Sequence, residues 1–531
     1  MIFIQRKIRE LPWSQWLSLL GLALLFVALR WNNYHAPLID DEGEIDYSAR
    51  LLVQGIAPYQ HAFIQKPPGV IYSYAFANLV LPQFFWSPRL LAYLFVAAAT
   101  ILLGIIARLE FGEKIALPAM WLMTPMILLP GIDQFSCNPE MFLLLPLLAT
   151  VAIYCYSRRH ENKNRHWFAA GFFAVVTLIF KYNILPIFAL VFIAWLFELY
   201  TSGHGIPAIV KAALCAVAGG IVALILLFGF YAMHQALESV WECTVAFNKF
   251  YLSAGFFSWA FLGSRLASLW SSWWILFLMP CAILFRPQRR VWFWLGMLGG
   301  AFLTTSGSAY AQYYILIMPF WALLAALGIR ALADKIQAKL TKPVPWLAPL
   351  LATIVILLVV HVDAPWIFCS SERFVRANDG SPFLEAPLVA DKVAGMTSPN
   401  DFVYVAGSEP EILCYAQRYS PTRFITSYPL MIPTPLALGY QQAAIQDLQA
   451  RPPRVIVFVA SGASWLRHAD SPPDFFAFLN KFLDQNYQMV GGYITGDGAD
   501  GHWAEPINNE QFKQCSLVVF SLKNASPSNS H

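Results

Sequence analysis

The chain has 531 residues, of which 58% are apolar and only 12% charged, with 41 Phe and 19 Trp. A soluble domain carries about 25% charged residues, so half the usual polar coat is missing, and the mean hydropathy of +0.53 agrees. A net charge of +4 is too slight to argue for a nucleic-acid partner. Disorder, a collagen-like fibre, a coiled coil and a soluble enzyme are excluded as whole-chain readings, leaving an α-helical polytopic membrane protein.

A crossing of a ~30 Å hydrocarbon core takes about 20 mostly apolar residues. In chain order the spans fall at 14–30, 86–107, 115–131, 139–156, 168–181, 184–199, 212–233, 266–285, 291–305, 313–331 and 346–362, eleven in all. Lys181-Tyr182-Asn183, between the fifth and sixth, is either a tight turn or an interruption of one bent helix. Arg6, Lys7 and Arg9 precede the first span, and no small-x-small cleavage site follows it, the pattern of an uncleaved signal anchor. Alternate loops hold Arg108/Lys114, Arg158/Arg159/Lys163/Arg165, Arg286/Arg289/Arg290 and Lys335/Lys339/Lys342. The positive-inside rule then predicts a cytoplasmic N-terminus, an outer C-terminus and residence in the plasma (inner) membrane.

Residues 1–362 form the expected membrane domain, with 31–85 as its first outer loop. Residues 363–520 change to mixed polarity with many prolines. Strand-like runs at 402–405, 454–459 and 488–493, with helical patterns at 409–417 and 474–486, predict a small outer α/β domain. The tail 521–531 is expected to be disordered. Of the 8 cysteines, Cys155, Cys215 and Cys281 lie in spans, and Cys369 with Cys515 is a candidate disulfide. No CxxC or Cys/His metal spacing occurs.

Nucleotide-phosphate loops, HExxH and GxSxG are missing, and no cytoplasmic segment is long enough for a nucleotide-sugar domain. An activated substrate must arrive through the membrane or from outside. The densest polar feature is Asp40-Asp41-Glu42-Gly43-Glu44-Ile45-Asp46, five carboxylates in seven residues just after a span. Held near a low dielectric, they repel one another and some pKa values rise, which suits a general base or the capture of a cation or basic substrate. The alternative is a solvated acidic loop at headgroup level.

Other features have two readings each. Lys66-Pro67-Pro68 is a fixed phosphate contact, or a snorkelling lysine before a proline-marked helix start. In the loop Asp133-Gln134 to Asn138-Pro139-Glu140, Pro and Glu make an ordinary helix N-terminus, or Glu140 faces a cavity below the acidic run. Lys181 reads as a snorkelling residue. Arg265 and Lys249 hold an anionic group, or belong to an interfacial segment with Phe256, Phe257, Trp259 and Phe261. Gln312-Tyr313-Tyr314 lines a pocket or joins an aromatic belt. GDGADG at 496–501 lacks the downstream acid of a calcium loop.

Taken in order, these pieces resemble the GT-C superfamily of membrane glycosyltransferases, in the branch of protein O-mannosyltransferases, lipid A aminoarabinose transferases and their bacterial relatives. The residues that carry the resemblance are Asp41-Glu42, Ala49-Arg50-Leu51-Leu52, Gly55-Ile56-Ala57-Pro58-Tyr59, Lys66-Pro67-Pro68, Asn138-Pro139-Glu140, Lys181 and Gln312-Tyr313-Tyr314 with Pro319. Asp401-Phe402-Val403-Tyr404-Val405-Ala406-Gly407, with Arg418 and Arg423, resembles the outer tail of some members. Gln312 departs from the pattern, where histidine is usual.

The resemblance implies transfer of a sugar from a polyprenyl-phosphate donor to a lipid, glycan or protein acceptor at the outer face, with inversion. By the same implication Asp41 is the general base and Glu42 orients it or the acceptor. Lys66, Arg265 and Lys181 contact the donor phosphate, while Asp40, Asn138, Glu140, Gln312 and Tyr313 line the acceptor or sugar site. Some members bind a divalent cation and others do not, and the acidic run permits either. The competing classes are a membrane transporter, which calls for charges near the bilayer midplane and paired repeats, and a non-catalytic binder of lipid-linked sugars.

Overall fold

The computed structural model describes residues 13–82, 84–129, 136–160, 163–253, 258–285, 288–305, 310–495 and 501–523. Among the described residues, thirteen helices of 13 or more residues organise the membrane part. They are α1 Trp13–Arg30, α2 Asp40–Val53, α3 Pro68–Val80, α4 Ser87–Phe111, α5 Glu113–Leu128, α6 Pro139–Arg159 and α7 Asn164–Leu178. They continue as α8 Leu185–Thr201, α9 Ile206–Met233, α10 Trp259–Cys281, α11 Arg289–Thr305, α12 Met318–Gln337 and α13 Leu347–Ile367. Every predicted span falls on one of them. Among the described residues, 8 helices are long and apolar enough to cross a membrane. The other three, α5, α7 and α11, have 16, 15 and 17 residues, about 24 Å at 1.5 Å per residue.

The break at Lys181 is a tight turn. Trp167 near the start of α7 stacks on Trp195 near the end of α8 at 3.8 Å, so the two helices run antiparallel. Helices α7 and α9 cross with their backbones touching, because a Cβ on Gly171 would overlap the Ala216 carbonyl and one on Gly219 the Phe168 carbonyl. Small residues at such a crossing replace the hydrophobic drive that lipid does not supply.

At the end of the bundle away from the C-terminal domain, α4, α6, α8 and α11 share an ion network. Glu110, its side chain 0% exposed, binds Arg158 (2.7 Å) and Arg290 (2.8 Å), and both arginines also bind Glu198 (2.8 and 2.9 Å). The basic loop residues described gather at this end; Arg286, like Arg6, Lys7 and Arg9, lies outside the described residues.

The C-terminal domain begins beyond α13, which runs to Ile367 rather than stopping at 362. Its strands are β1 Val403–Ala406, β2 Val455–Val459, β3 Tyr487–Ile494, β4 His502–Ala504 and β5 Cys515–Leu522, in the order β1-β2-β5-β3-β4. Only β1 and β2 are parallel. Three strands match the sequence expectation, and β4 and β5 are additional. Ser521 and Leu522 complete β5 by pairing with β2 and β3, which corrects the expected disordered tail at its first residues; 524–531 lie outside the described residues. The expected Cys369–Cys515 disulfide does not form. Both thiols are free, with Cys369 against Asn32 and Cys515 in β5.

This domain grips α2. A Cβ on Gly43 would strike the Glu411 backbone, so the short helix Glu411–Ala416 lies directly on α2. Arg50 donates to the Cys414 carbonyl (3.0 Å), Tyr415 accepts from the Leu38 N–H (2.7 Å), and Tyr47 accepts from that of Ser420 (2.9 Å).

Candidate active site

The acidic run is the start of α2 rather than a solvated loop. Asp40, Asp41 and Glu42 fill its first turn, where the positive end of the helix dipole favours carboxylates. Helical spacing then sorts the acids. Asp41 and Glu44, three apart, meet Lys66, while Glu42 and Asp46, four apart, turn towards the bundle.

Glu42 is 1% exposed and wholly engaged. Its two oxygens take the Arg89 guanidinium, with Nε at 2.8 Å, and Oε1 also accepts the Cys137 N–H at 3.0 Å. Arg89 donates further to the carbonyls of Asn33 (2.7 Å), Ala36 (2.8 Å) and Pro37 (2.8 Å). The pair pins the entry to α2 onto α4. Asp46 accepts from Asn78 at 2.7 Å.

Lys66 precedes Pro67 and Pro68, which hold it extended and open α3. Its Nζ lies 2.7 Å from Asp41 Oδ1 and 2.6 Å from Glu44 Oε2. Burial opposes the ammonium charge, but the two carboxylates outweigh it and raise the lysine pKa. The Tyr428 hydroxyl, from the C-terminal domain, donates to Glu44 Oε1 at 2.8 Å. Asp41 is half-buried, with a side chain 35% exposed, and its Oδ2 has no hydrogen bond among the described residues. Asp40 is exposed at the start of α2, where the surrounding protein and then the Asp41 carboxylate beside it raise its carboxyl above the ordinary value.

A second acid–lysine pair faces the first. Asn138 and Pro139 begin α6, and Glu140 follows in its first turn. The Lys181 ammonium donates to Glu140 and lies 2.8 Å from the Tyr313 ring centroid. Its side chain is 14% exposed, so Lys181 turns inward instead of snorkelling. Tyr310 meets Tyr251 hydroxyl to hydroxyl at 3.0 Å, and Asp41 is within electrostatic reach of Lys181, Tyr310 and Tyr313. The two pairs and the tyrosines therefore cluster within electrostatic range of one another.

The remaining sequence candidates lie at its edges. Asn138 is buried and donates to Ser136 (2.6 Å) at the start of α6. Gln312 is half-buried in the 3₁₀ turn Ala311–Ile317 that carries Tyr313. Arg265, on α10, acts electrostatically on Tyr314. Asp133, Gln134, Phe256, Phe257 and residues 496–500 lie outside the described residues. Glu44, Tyr428 and Arg89 were not singled out from the sequence. Glu44 is visible as the helical neighbour of Asp41 once the run is read as a helix, whereas nothing local marks Tyr428.

A resident divalent cation does not fit this donor set. The two carboxylates that converge, Asp41 and Glu44, converge on the Lys66 ammonium, and among the described residues no group of three or more His, Cys, Asp or Glu could hold a metal ion.

No family model matches the sequence, and no curated protein matches it. Solved structures match in fold. ArnT from Cupriavidus metallidurans, bound to undecaprenyl phosphate, aligns with 98% of this chain and 100% of its own at TM-score 0.55 and 14% identity. Archaeal oligosaccharyltransferase AglB from Archaeoglobus fulgidus, in complex with an inhibitory peptide and a dolichol-phosphate, aligns with 94% of this chain and 75% of its own at TM-score 0.50 and 11% identity.

Proposed function

From a multi-pass chain with the fold of the GT-C membrane glycosyltransferases, we propose a glycosyltransferase that moves a hexosyl or pentosyl group from a polyprenyl-phosphate donor to a lipid, glycan or protein acceptor. The observation that carries this reading is the pair of acid–lysine contacts, Asp41–Lys66–Glu44 and Glu140–Lys181, within electrostatic range of each other. Lipid phosphates in the structures of ArnT and AglB support the donor class.

Lys66 and Lys181 are the groups that take the donor phosphate, with Arg265 on the approach. Each is now held by carboxylates, and an arriving phosphate competes for the ammonium. When it draws Lys66, Asp41 loses its countercharge and becomes a stronger base. Asp41 then takes the proton of the acceptor hydroxyl, which needs a carboxylate within ~3 Å. The acceptor oxygen bonds to the anomeric carbon from the face opposite the phosphate, and the bond from that carbon to the phosphate oxygen breaks. The leaving group departs as polyprenyl phosphate, its charge stabilised by the lysines without protonation. Inversion follows from the single displacement. Glu140, Tyr313, Asn138, Gln312 and Asp40 border the sugar and acceptor. Glu42 acts indirectly, by fixing α2 through Arg89.

Charge asymmetry between the two ends supports an orientation with the acid–lysine site and C-terminal domain on the outer face of the plasma membrane and the basic end and N-terminus in the cytoplasm. The test is a panel of radiolabelled polyprenyl-phosphate sugars offered to membranes carrying wild type or Asp41→Asn. Release or transfer by wild type alone supports the reading. Equal signals from both remove Asp41 as the base and point to Asp40. Silence from folded wild type across the panel favours a non-catalytic binder.

A further inference from the structure

A cavity of about 490 Å³ lies at the basic end of the bundle, where α4 ends and α5 begins, away from the acid–lysine site at the start of α2. Its size is that of a small-molecule site. Its lining is partly apolar, from Phe111, Ile115 and Leu327, and partly polar, from Lys114 and Arg330 with the carboxylates of Glu113 and Asp334. The chain reverses at Gly112, with φ +94°, a conformation that favours glycine, and this turn sets Glu113 and Lys114 at the lip. Glu113 is occupied outward by Arg108 at 2.6 Å. Arg330 gives one guanidinium nitrogen to Asp334 at 2.9 Å, and a guanidinium has five N–H donors in all. Lys114 has no ion-pair partner among the described residues. The wall is braced from behind by Glu110, the residue before Phe111, locked between Arg158 and Arg290.

An amphiphilic cavity with a spare ammonium and a partly committed guanidinium, set where spans end, matches a phosphate group bearing an apolar chain. Basic pockets between membrane helices bind acidic lipid headgroups. We propose that this cavity binds the headgroup phosphate of an anionic phospholipid, with Lys114 and Arg330 on the phosphate and the start of an acyl chain against Phe111, Ile115 and Leu327. The bound lipid ties α5 to α11 and α12.

The test uses the delipidated full-length protein in a non-ionic detergent, titrated calorimetrically with dioctanoyl phosphatidylglycerol, dioctanoyl phosphatidylcholine and inorganic phosphate. Saturable binding of the glycerol lipid at one site is expected, with affinity lowered about fivefold by Lys114→Ala. Lys114 is exposed, so that variant folds; Arg330→Gln provides the second arm, with a loss at least as large. Equal binding of the choline lipid overturns the selectivity for an anionic headgroup. Equal binding of inorganic phosphate overturns the lipid in favour of a soluble anion. Affinity unchanged in both variants overturns the site.

Discussion

Arg89→Leu tests whether Glu42 is a structural clamp. The pair is buried, with side chains 4% and 1% exposed. Removing one partner of such a pair costs about 3–5 kcal/mol, because the other charge is left uncompensated. Glu42 keeps the Cys137 N–H at 3.0 Å, which puts the cost near the lower bound, about 3 kcal/mol. If opening is confined to the α2 entry, that is about 150-fold faster amide exchange in the first turns of α2, with the far end of the bundle unchanged. Hydrogen exchange read by mass spectrometry measures this directly. The double variant Arg89→Leu with Glu42→Leu replaces the ion pair by apolar groups and recovers most of the protection. Unchanged exchange in α2, or a double variant no better than the single, refutes the clamp.

Tyr428→Phe deletes the hydroxyl bond to Glu44 at 2.8 Å; hydrogen bonds to charged groups contribute about 1.5–3 kcal/mol to stability, so the thermal midpoint falls, and an unchanged midpoint shows that the bond contributes nothing. The Asp40 carboxyl is raised above its ordinary value of 3.8, so the folded state keeps its proton to higher pH than the unfolded chain and Asp40 makes stability fall as pH rises above that value; Asp40→Asn reduces that fall in thermal midpoints taken from pH 4 to 8. Gly43→Val drives a side chain into the Glu411 backbone, and limited proteolysis then cuts the connection after α13 faster than in wild type. Glu110→Ala leaves Arg290 and Arg158 without their buried partner and lowers the thermal midpoint, whereas an exposed control, Glu372→Ala, leaves it unchanged.

The membrane helices were legible because hydrophobicity accumulates along a run, and run length alone finds a span. The helix starts at Pro68 and Pro139 were legible from their prolines. The acidic run was not. Five carboxylates suppress any hydropathy signal, so its beginning a helix depends on the dipole and on Gly43 admitting a second backbone. Lys66, Glu140 and Lys181 are recognisable as polar groups at span ends, yet whether such a lysine turns outward to headgroups or inward to an acid is decided by tertiary contact. The same holds for Glu42, whose partner is 47 residues away, and for Glu44, whose tyrosine is 384 residues away. In the C-terminal domain β4 is only 3 residues long, and β5 lies close to a polar tail that masks its apolar pattern.

The central claim is a division of labour, in which Lys66 and Lys181 hold the donor phosphate and Asp41 takes the acceptor's proton. Measuring undecaprenyl-phosphate affinity and sugar transfer side by side in wild type, Asp41→Asn and Lys66→Gln separates the two. The account predicts that Asp41→Asn binds the lipid phosphate at least as tightly as wild type, since Lys66 is freed from a competing carboxylate, and transfers nothing. Lys66→Gln binds it markedly more weakly. Wild-type transfer rates in Asp41→Asn, or unaltered lipid affinity in Lys66→Gln, contradict the account.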